Sequence, residues 1–137
     1  MTRRVLHVLS QRPSRTGSGV TLEHLARCAA DAGWHQEAVI GVPAEDPSPG
    51  VGELASAAIH PLVFETPELP FPVPGMSDVM PYRSTRFSSL DDARVAQYLD
   101  AWRAHLEPLV SAFAPDVIHS HHVWLMSSVL KDVAPQT

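Results

Sequence analysis

A chain of 137 residues has the length of one domain, and folding such a chain buries roughly two thirds of its unfolded surface, enough for a core. The 45% hydrophobic and 18% charged content excludes a disordered chain, and the formal net charge of −5 excludes a general nucleic-acid binder, which needs a basic excess to neutralise phosphates. Cys28 is the only cysteine, which rules out an internal disulfide and a Cys-rich zinc site and suits the cytoplasm.

The opening Arg3-Arg4 followed by Val5-Leu6-His7-Val8-Leu9 imitates a signal peptide. Its apolar run is shorter than the ~7–15 residues of an h-region, and no window reaches the ~18–20 apolar residues of a membrane span. Val5 to Leu9 instead predicts a buried first strand, with His7 the odd member. Gln11 to Gly19 is a turn-rich loop. From Val20 the spacing of Leu22, Leu25, Ala26 and Ala29 predicts a helix that stops at Gly33. Glu37 to Val42, closed by Pro43, predicts a second strand and completes a βαβ unit.

Ala44 to Gly52 is a Pro/Gly/acidic loop, Val51 to Ala57 is expected to form a short helix, and Ile59 to Phe64 a third strand. The stretch from Thr66 to Ser89 holds five of the 13 prolines and has no periodicity. Its apolar members, among them Leu69, Phe71, Val73, Met76, Val79 and Met80, favour an ordered excursion that lies on something. Ser88 and Ser89, followed by Asp91 and Asp92, resemble a capping box. The helix after them carries Val95, Leu99, Trp102, Leu106, Leu109, Val110 and Phe113 on one stripe, and Pro108 predicts a kink or two abutting helices. Asp116 to Ser120 predicts the fourth strand, and Met126, Val129, Leu130 and Val133 mark one face of a last helix.

Strands alternating with helices predict an α/β fold: a Rossmann-like, doubly wound, mainly parallel sheet with helices on both faces, forming one domain over 1–137. At Ala134-Pro135-Gln136-Thr137 a further strand would be due, so the sequence reads as truncated.

Two motifs carry chemistry in such a fold. Thr16-Gly17-Ser18-Gly19 lies between the first strand and the first helix, where backbone N–H groups favour an anion. Arg12 and Arg15 flank it. It matches neither Gly-x-Gly-x-x-Gly nor a Walker loop, and it reads as a phosphate- or sugar-approach loop or as a plain βα turn. The second motif is His119-Ser120-His121-His122 at the end of the fourth strand. Alternation sets Val117, His119 and His121 against Ile118, Ser120 and His122. His119 reads as a core histidine with a backbone partner. His121, expected on the crevice rim, can hydrogen-bond a substrate or transfer a proton near neutral pH. His119 and His121 are alternatively two ligands of a zinc site that needs a carboxylate the motif does not supply. Arg83, Ser84, Thr85 and Arg86 read either as a solvated turn or as a contact to an anionic part of a substrate. Trp102 is core by its spacing; Trp124 packs under the site or stacks on a sugar, with core the simpler reading.

Together these residues resemble the N-terminal domain of family 4 glycosyltransferases of GT-B architecture. The resemblance covers nearly the whole chain, from Val5-Leu6-His7-Val8-Leu9 and the glycine loop through Leu25-Ala26 to Pro115-Asp116-Val117-Ile118-His119-Ser120-His121. Pro74 to Tyr82 is similar to a loop of a bacterial subset of that family. The resemblance implies retaining transfer of a sugar from a nucleotide-sugar donor to an acceptor, with no further cofactor and no metal. It implies donor-phosphate approach at Gly17, Ser18 and Gly19 and a catalytic role for His121 beside the transferred sugar. Arg83, Ser84, Arg86 and His122 are then the expected acceptor contacts. The family usually has Gly-Gly where this chain has Thr16-Gly17. The family's C-terminal nucleotide-sugar domain, with its paired-glutamate donor motif, is missing from these residues, so the chain by itself is expected to be inactive. That domain, the donor and the acceptor are the implied partners, with peripheral membrane contact if the acceptor is a lipid and no nucleic acid. A stand-alone small-ligand binding module and a zinc-dependent hydrolase built on His119 and His121 are the competing functions.

Overall fold

The computed structural model describes residues 1–137. Its elements are β1 (Arg4–Leu9), α1 (Gly17–Asp31), β2 (His35–Val42), β3 (Ile59–Val63), α2 (Asp92–Phe113), β4 (Val117–His121) and α3 (Leu125–Val133). The four strands form one sheet in the order β3-β2-β1-β4, and every pairing is parallel. The architecture is therefore α/β and Rossmann-like, as the alternation of strand and helix patterns predicts. No helix is long and apolar enough to cross a membrane.

Strand alternation divides the core in two. Leu6, Val8 and Val39 face α2 and α3, where Tyr98, Trp102, Leu106, Phe113, Met126, Val129 and Leu130 complete one cluster. Leu9, Ala38, Ile40 and Val42 face the opposite way and pack with Leu22 of α1 and with Val51. A strand buried on both faces shows continuous apolar character rather than alternation, which is why β1 and β2 read as unbroken runs. The chain lays down β1, β2 and β3 in one direction, then returns through α2 to place β4 on the other side of β1. The carboxyl ends of β1 and β4 thus flank the topological switch point, where open α/β sheets bind ligands.

Several boundaries differ from the sequence expectation, and each difference has a physical cause. Helix α1 begins at Gly17 rather than Val20, because the Thr16 hydroxyl accepts from the Gly19 N–H and caps it. The glycine segment is therefore the first helical turn. The short helix expected over Val51 to Ala57 is reduced to one tight turn at Ser56–Ala58. Asp91, not Ser88 or Ser89, caps α2 by accepting from the Arg94 N–H at 2.9 Å. Pro108 does not divide that helix, which runs unbroken to Phe113. Pro108 and Ala104 both lie on its solvent face, where the carbonyl that a proline leaves unbonded is open to solvent. Strand β4 ends at His121, one residue later than expected, with consequences for the site.

The proline-rich excursion is ordered by its own apolar residues. Leu69, Phe71 and Val73 are buried in the α2/α3 core, beside Phe64 just past the end of β3. Its two limbs are tied by Thr85 N–H to the Val73 carbonyl (3.1 Å) and Gly75 N–H to the Thr85 carbonyl (3.2 Å). Phe87 stacks on Trp124 with ring centroids 3.6 Å apart, fastening the far limb to the start of α3. What projects beyond these ties is the tip, residues 76–81.

Trp102 is fully buried where α2 crosses the sheet. Trp102→Ala is expected to cost about 3–5 kcal/mol, the range for truncating a buried aromatic, measured by denaturant unfolding; a loss below about 1 kcal/mol would show that this cluster does not carry the fold.

Candidate functional site

Beyond β1 the chain enters Ser10 and Gln11, both 2% exposed. Gln11 is the organising side chain. Its Nε2 donates to the Thr16 hydroxyl (3.0 Å) and the Ser18 hydroxyl (2.7 Å), and its Oε1 accepts from the Met76 N–H at 3.4 Å. The Thr16 oxygen also accepts from the Gly19 N–H, and it lies 3.1 Å from Ser18 Oγ. Counting protons fixes the direction of this network. Thr16 uses both lone pairs as acceptor, so its own proton goes to Ser18. Ser18 Oγ then accepts twice, and its O–H is left to donate outward.

Ser18 faces an open cleft of ≈ 350 Å³ at the switch point. Gln11, Arg15, Thr16, Gly17 and Ser18 form one wall; Met76, Ser77, Val79, Met80 and Pro81 of the excursion tip form another; His122 closes it from β4. The two motifs that the sequence separates by a hundred residues thus meet in one cavity. Arg15 is the only charged side chain of the lining, and no carboxylate reaches it.

The glycines differ in their work. Gly17 is exposed, and a Cβ there would meet nothing within 4 Å, so a ligand has room to approach its backbone. Gly19 is buried and does not line the cleft. A Cβ at Gly19 would collide with the backbone of Ser14 and Pro13. Its role is to let the preceding loop fold back on the helix. The loop is also held by the Arg12–Asp46 ion pair.

The histidines also separate. Because β4 extends through His121, that residue pairs with Leu9 inside the sheet and is 8% exposed. It sits against His119, with ring centroids 4.7 Å apart, and is not on the rim where the sequence places it. Burial lowers its pKa to about 4, and the neighbouring His119, His122 and His7 add to the shift. Its Nε2 is buried without a hydrogen-bond partner. His7 on β1 is likewise kept neutral by burial, an effect that its bond to Gln36 opposes. That Gln36 in turn donates to the Ala26 carbonyl, so its Oε1 faces His7 Nε2 at 2.9 Å. His119, half-buried, lies beside His7 and His121 rather than bonding to backbone.

His122 is the rim residue. Its φ of +69° is left-handed, unusual for a side-chain-bearing residue. Ser127 Oγ holds that turn by donating to the His122 carbonyl at 2.5 Å. Such a conformation costs of order 1–3 kcal/mol and persists where surrounding structure imposes it. Burial lowers the His122 pKa as well.

Of the residues the sequence proposes, Gly17, Ser18 and His122 come together in the cleft. Arg83 is paired with Glu65 at 3.0 Å, and neither it, Ser84 nor Arg86 lines the cavity. No three His, Cys, Asp or Glu side chains converge as a metal-ligand set, so His119 and His121 lack the carboxylate a zinc centre requires. Trp124 packs between Phe87 and Tyr98, as core. Sequence reading misses Gln11, whose only signal is its place just past a strand end. It also misses the Met76–Pro81 wall, for which periodicity offers none. No protein-family model, curated protein or solved structure matches the chain.

Gly19→Ala is expected to lower the melting temperature by several degrees while Gly17→Ala leaves it near the parent value, followed by thermal circular dichroism; equal effects would remove the distinction. Depressed folded-state histidine pKa values mean that the unfolded chain takes up protons first as pH falls. The His121 contribution is therefore full above about pH 6.5 and is lost as pH drops toward about 4, roughly 3 kcal/mol. His121→Leu should flatten that part of the pH–stability profile in urea titrations, and an unchanged slope would exclude His121 as its source.

Proposed function

We propose that this chain is the acceptor-side domain of a retaining glycosyltransferase that moves a sugar from a nucleotide-sugar donor to an acceptor. One observation carries the reading: the glycine turn and the histidine motif meet in a single cleft at the switch point, with Gly17, Ser18 and His122 in its lining.

In this reading the donor phosphates approach the open side of Gly17. The outward-directed Ser18 O–H and the free N–H groups of the first helical turn meet them. Arg15 adds the only formal charge. His122 hydrogen-bonds the acceptor or the sugar at the rim. His121 lies one residue behind, outside the lining, with a buried, unpaired Nε2 that a sugar hydroxyl would reach only after the cleft rearranges on donor binding. Its pKa near 4 keeps it neutral at physiological pH. Neutral imidazole accepts or donates a hydrogen bond without bringing charge to a reacting centre. Gly19, Gln11 and Thr16 act by positioning the turn. Arg83, Ser84 and Arg86, outside the cavity, would reach an acceptor only beyond the cleft.

The reading requires a second, nucleotide-binding domain to close over the cleft, so the 137-residue chain alone should bind nucleotide-sugars weakly and turn none over. It places the protein in the cytoplasm, where Cys28 stays a thiol. Reading the coding frame past Thr137 is the first test. A second α/β pattern with the paired-glutamate motif supports the transferase. A stop codon there moves the stand-alone binding module, which would use the same cleft, into first place. In the full-length transferase, His121→Ala and His122→Ala should each reduce kcat by about a hundredfold or more with a retained fold and retained anomeric configuration, the buried His121 position also lowering the melting temperature. Near-normal kcat in both variants, or inversion in the parent enzyme, would sink the assignment.

A further inference from the structure

The cleft has two chemically different walls, and its second wall is unexplained by donor phosphates. Met76, Val79, Met80 and Pro81 bring thioether and aliphatic surface to the cavity lining, alongside hydroxyl, amide and guanidinium groups. A tip made only to cover the glycine turn from water would hide its apolar side chains. Here Val79 is 83% exposed, and Val123, directly after His122, is 101% exposed. Both apolar side chains are thus exposed beside the cleft: Val79 in its lining and Val123 next to the rim histidine. The tip is not free to fold them away. Met80 packs on Gly75, where even a Cβ would collide with it, and the Met76 N–H is anchored to Gln11.

From this arrangement we infer that the cleft selects a small amphipathic anion: a molecule with an anionic group for Arg15 and a short aliphatic or aromatic substituent for the Met76–Pro81 wall. Charge complementarity decides the first half, because Arg15 is the single charge of the lining and no side chain of the chain pairs with it. Exposed apolar surface decides the second, since thioether and aliphatic groups gain by contact with apolar ligand surface and lose by contact with water. The volume, ≈ 350 Å³, suits a small ligand. An anionic bilayer is the less favoured occupant because the chain itself carries a net charge of −5, which an anionic surface repels. As a statement about which substrate of the transferase occupies the cleft, this rests on the transferase reading; as a binding preference it stands without turnover.

The test is a calorimetric titration of the 137-residue chain with hexyl phosphate, inorganic phosphate and hexyl glucoside, all below micelle-forming concentrations. Hexyl phosphate should bind about tenfold or more tightly than inorganic phosphate, the gain expected from burying roughly two methylene groups, and more tightly than hexyl glucoside through its charge on Arg15. Arg15→Gln should erase its advantage over hexyl glucoside, and Met80→Ser its advantage over inorganic phosphate. Val79→Ser, at an exposed position that does not support the tip, should also weaken the hexyl preference and guards against a Met80 variant that misfolds. Equal affinity for hexyl phosphate and inorganic phosphate overturns the inference. So does binding confined to phosphatidic acid vesicles, which would assign the surface to a membrane instead. Failure here leaves the transferase reading to its own test of turnover. Conversely, inactive full-length protein with an intact hexyl phosphate preference refutes the transferase alone.

Discussion

Parallel pairing of β1 with β4 is the constraint on which the rest of the molecule depends. These strands are distant in sequence and become neighbours only because the chain reverses its direction of travel across the sheet after β3. Asp116 sets their register at the amino end. Its carboxylate accepts the Arg4 N–H at 2.7 Å while its own N–H donates to the Arg4 carbonyl at 2.9 Å. From there the ladder runs Val5 to Val117, His7 to His119 and Leu9 to His121. Gln11 and His122 consequently emerge at the same end of the sheet and line one cleft. A slip of one residue would turn every histidine to the other face of the sheet and separate the two motifs.

That register also explains why three histidines gather on one face. His7, His119 and His121 share the α1 side, where apolar neighbours and mutual repulsion disfavour protonation of His7 and His121. Each protonation would place a charge in a poorly solvated environment with no carboxylate to offset it. The cluster is thus stable as neutral imidazoles and becomes a liability in acid. The left-handed turn at His122 follows directly. The chain must leave the sheet and enter α3 within three residues, and Ser127 secures that bend through the His122 carbonyl.

The excursion supplies what the short sheet cannot. Four strands and three helices leave the α2 face incompletely covered, and Leu69, Phe71 and Val73, with Phe64 just past β3, fill it with side chains from a segment of no regular structure. Prolines favour this role because they restrict the unfolded chain and so lower the entropy lost on ordering. Anchored at Gln11 and at the Phe87–Trp124 stack, the excursion is at once core filler and cleft wall. One hydrogen-bonded side chain, Gln11, therefore links the helix turn, the strand end and the excursion tip.

The sequence by itself determined the elements and their order, because local periodicity and turn chemistry act over a few residues. Leu22 and Ala26 announce the buried face of α1, Gly33 its end, and Val117-Ile118 the strand before the histidines. It also located Gly17, Ser18 and His122 as residues of interest. Only the tertiary structure decided which histidine reaches the cleft, since one more residue of ladder pairing draws His121 into the sheet and leaves His122 on the rim. The same holds for the glycines: Gly17 and Gly19 look alike in sequence, but the backbone of Pro13 and Ser14 presses on one and not on the other. Gln11 and the Met76–Pro81 wall became legible only in three dimensions. Their contacts span the fold, and no periodic pattern encodes a contact between residues 65 positions apart.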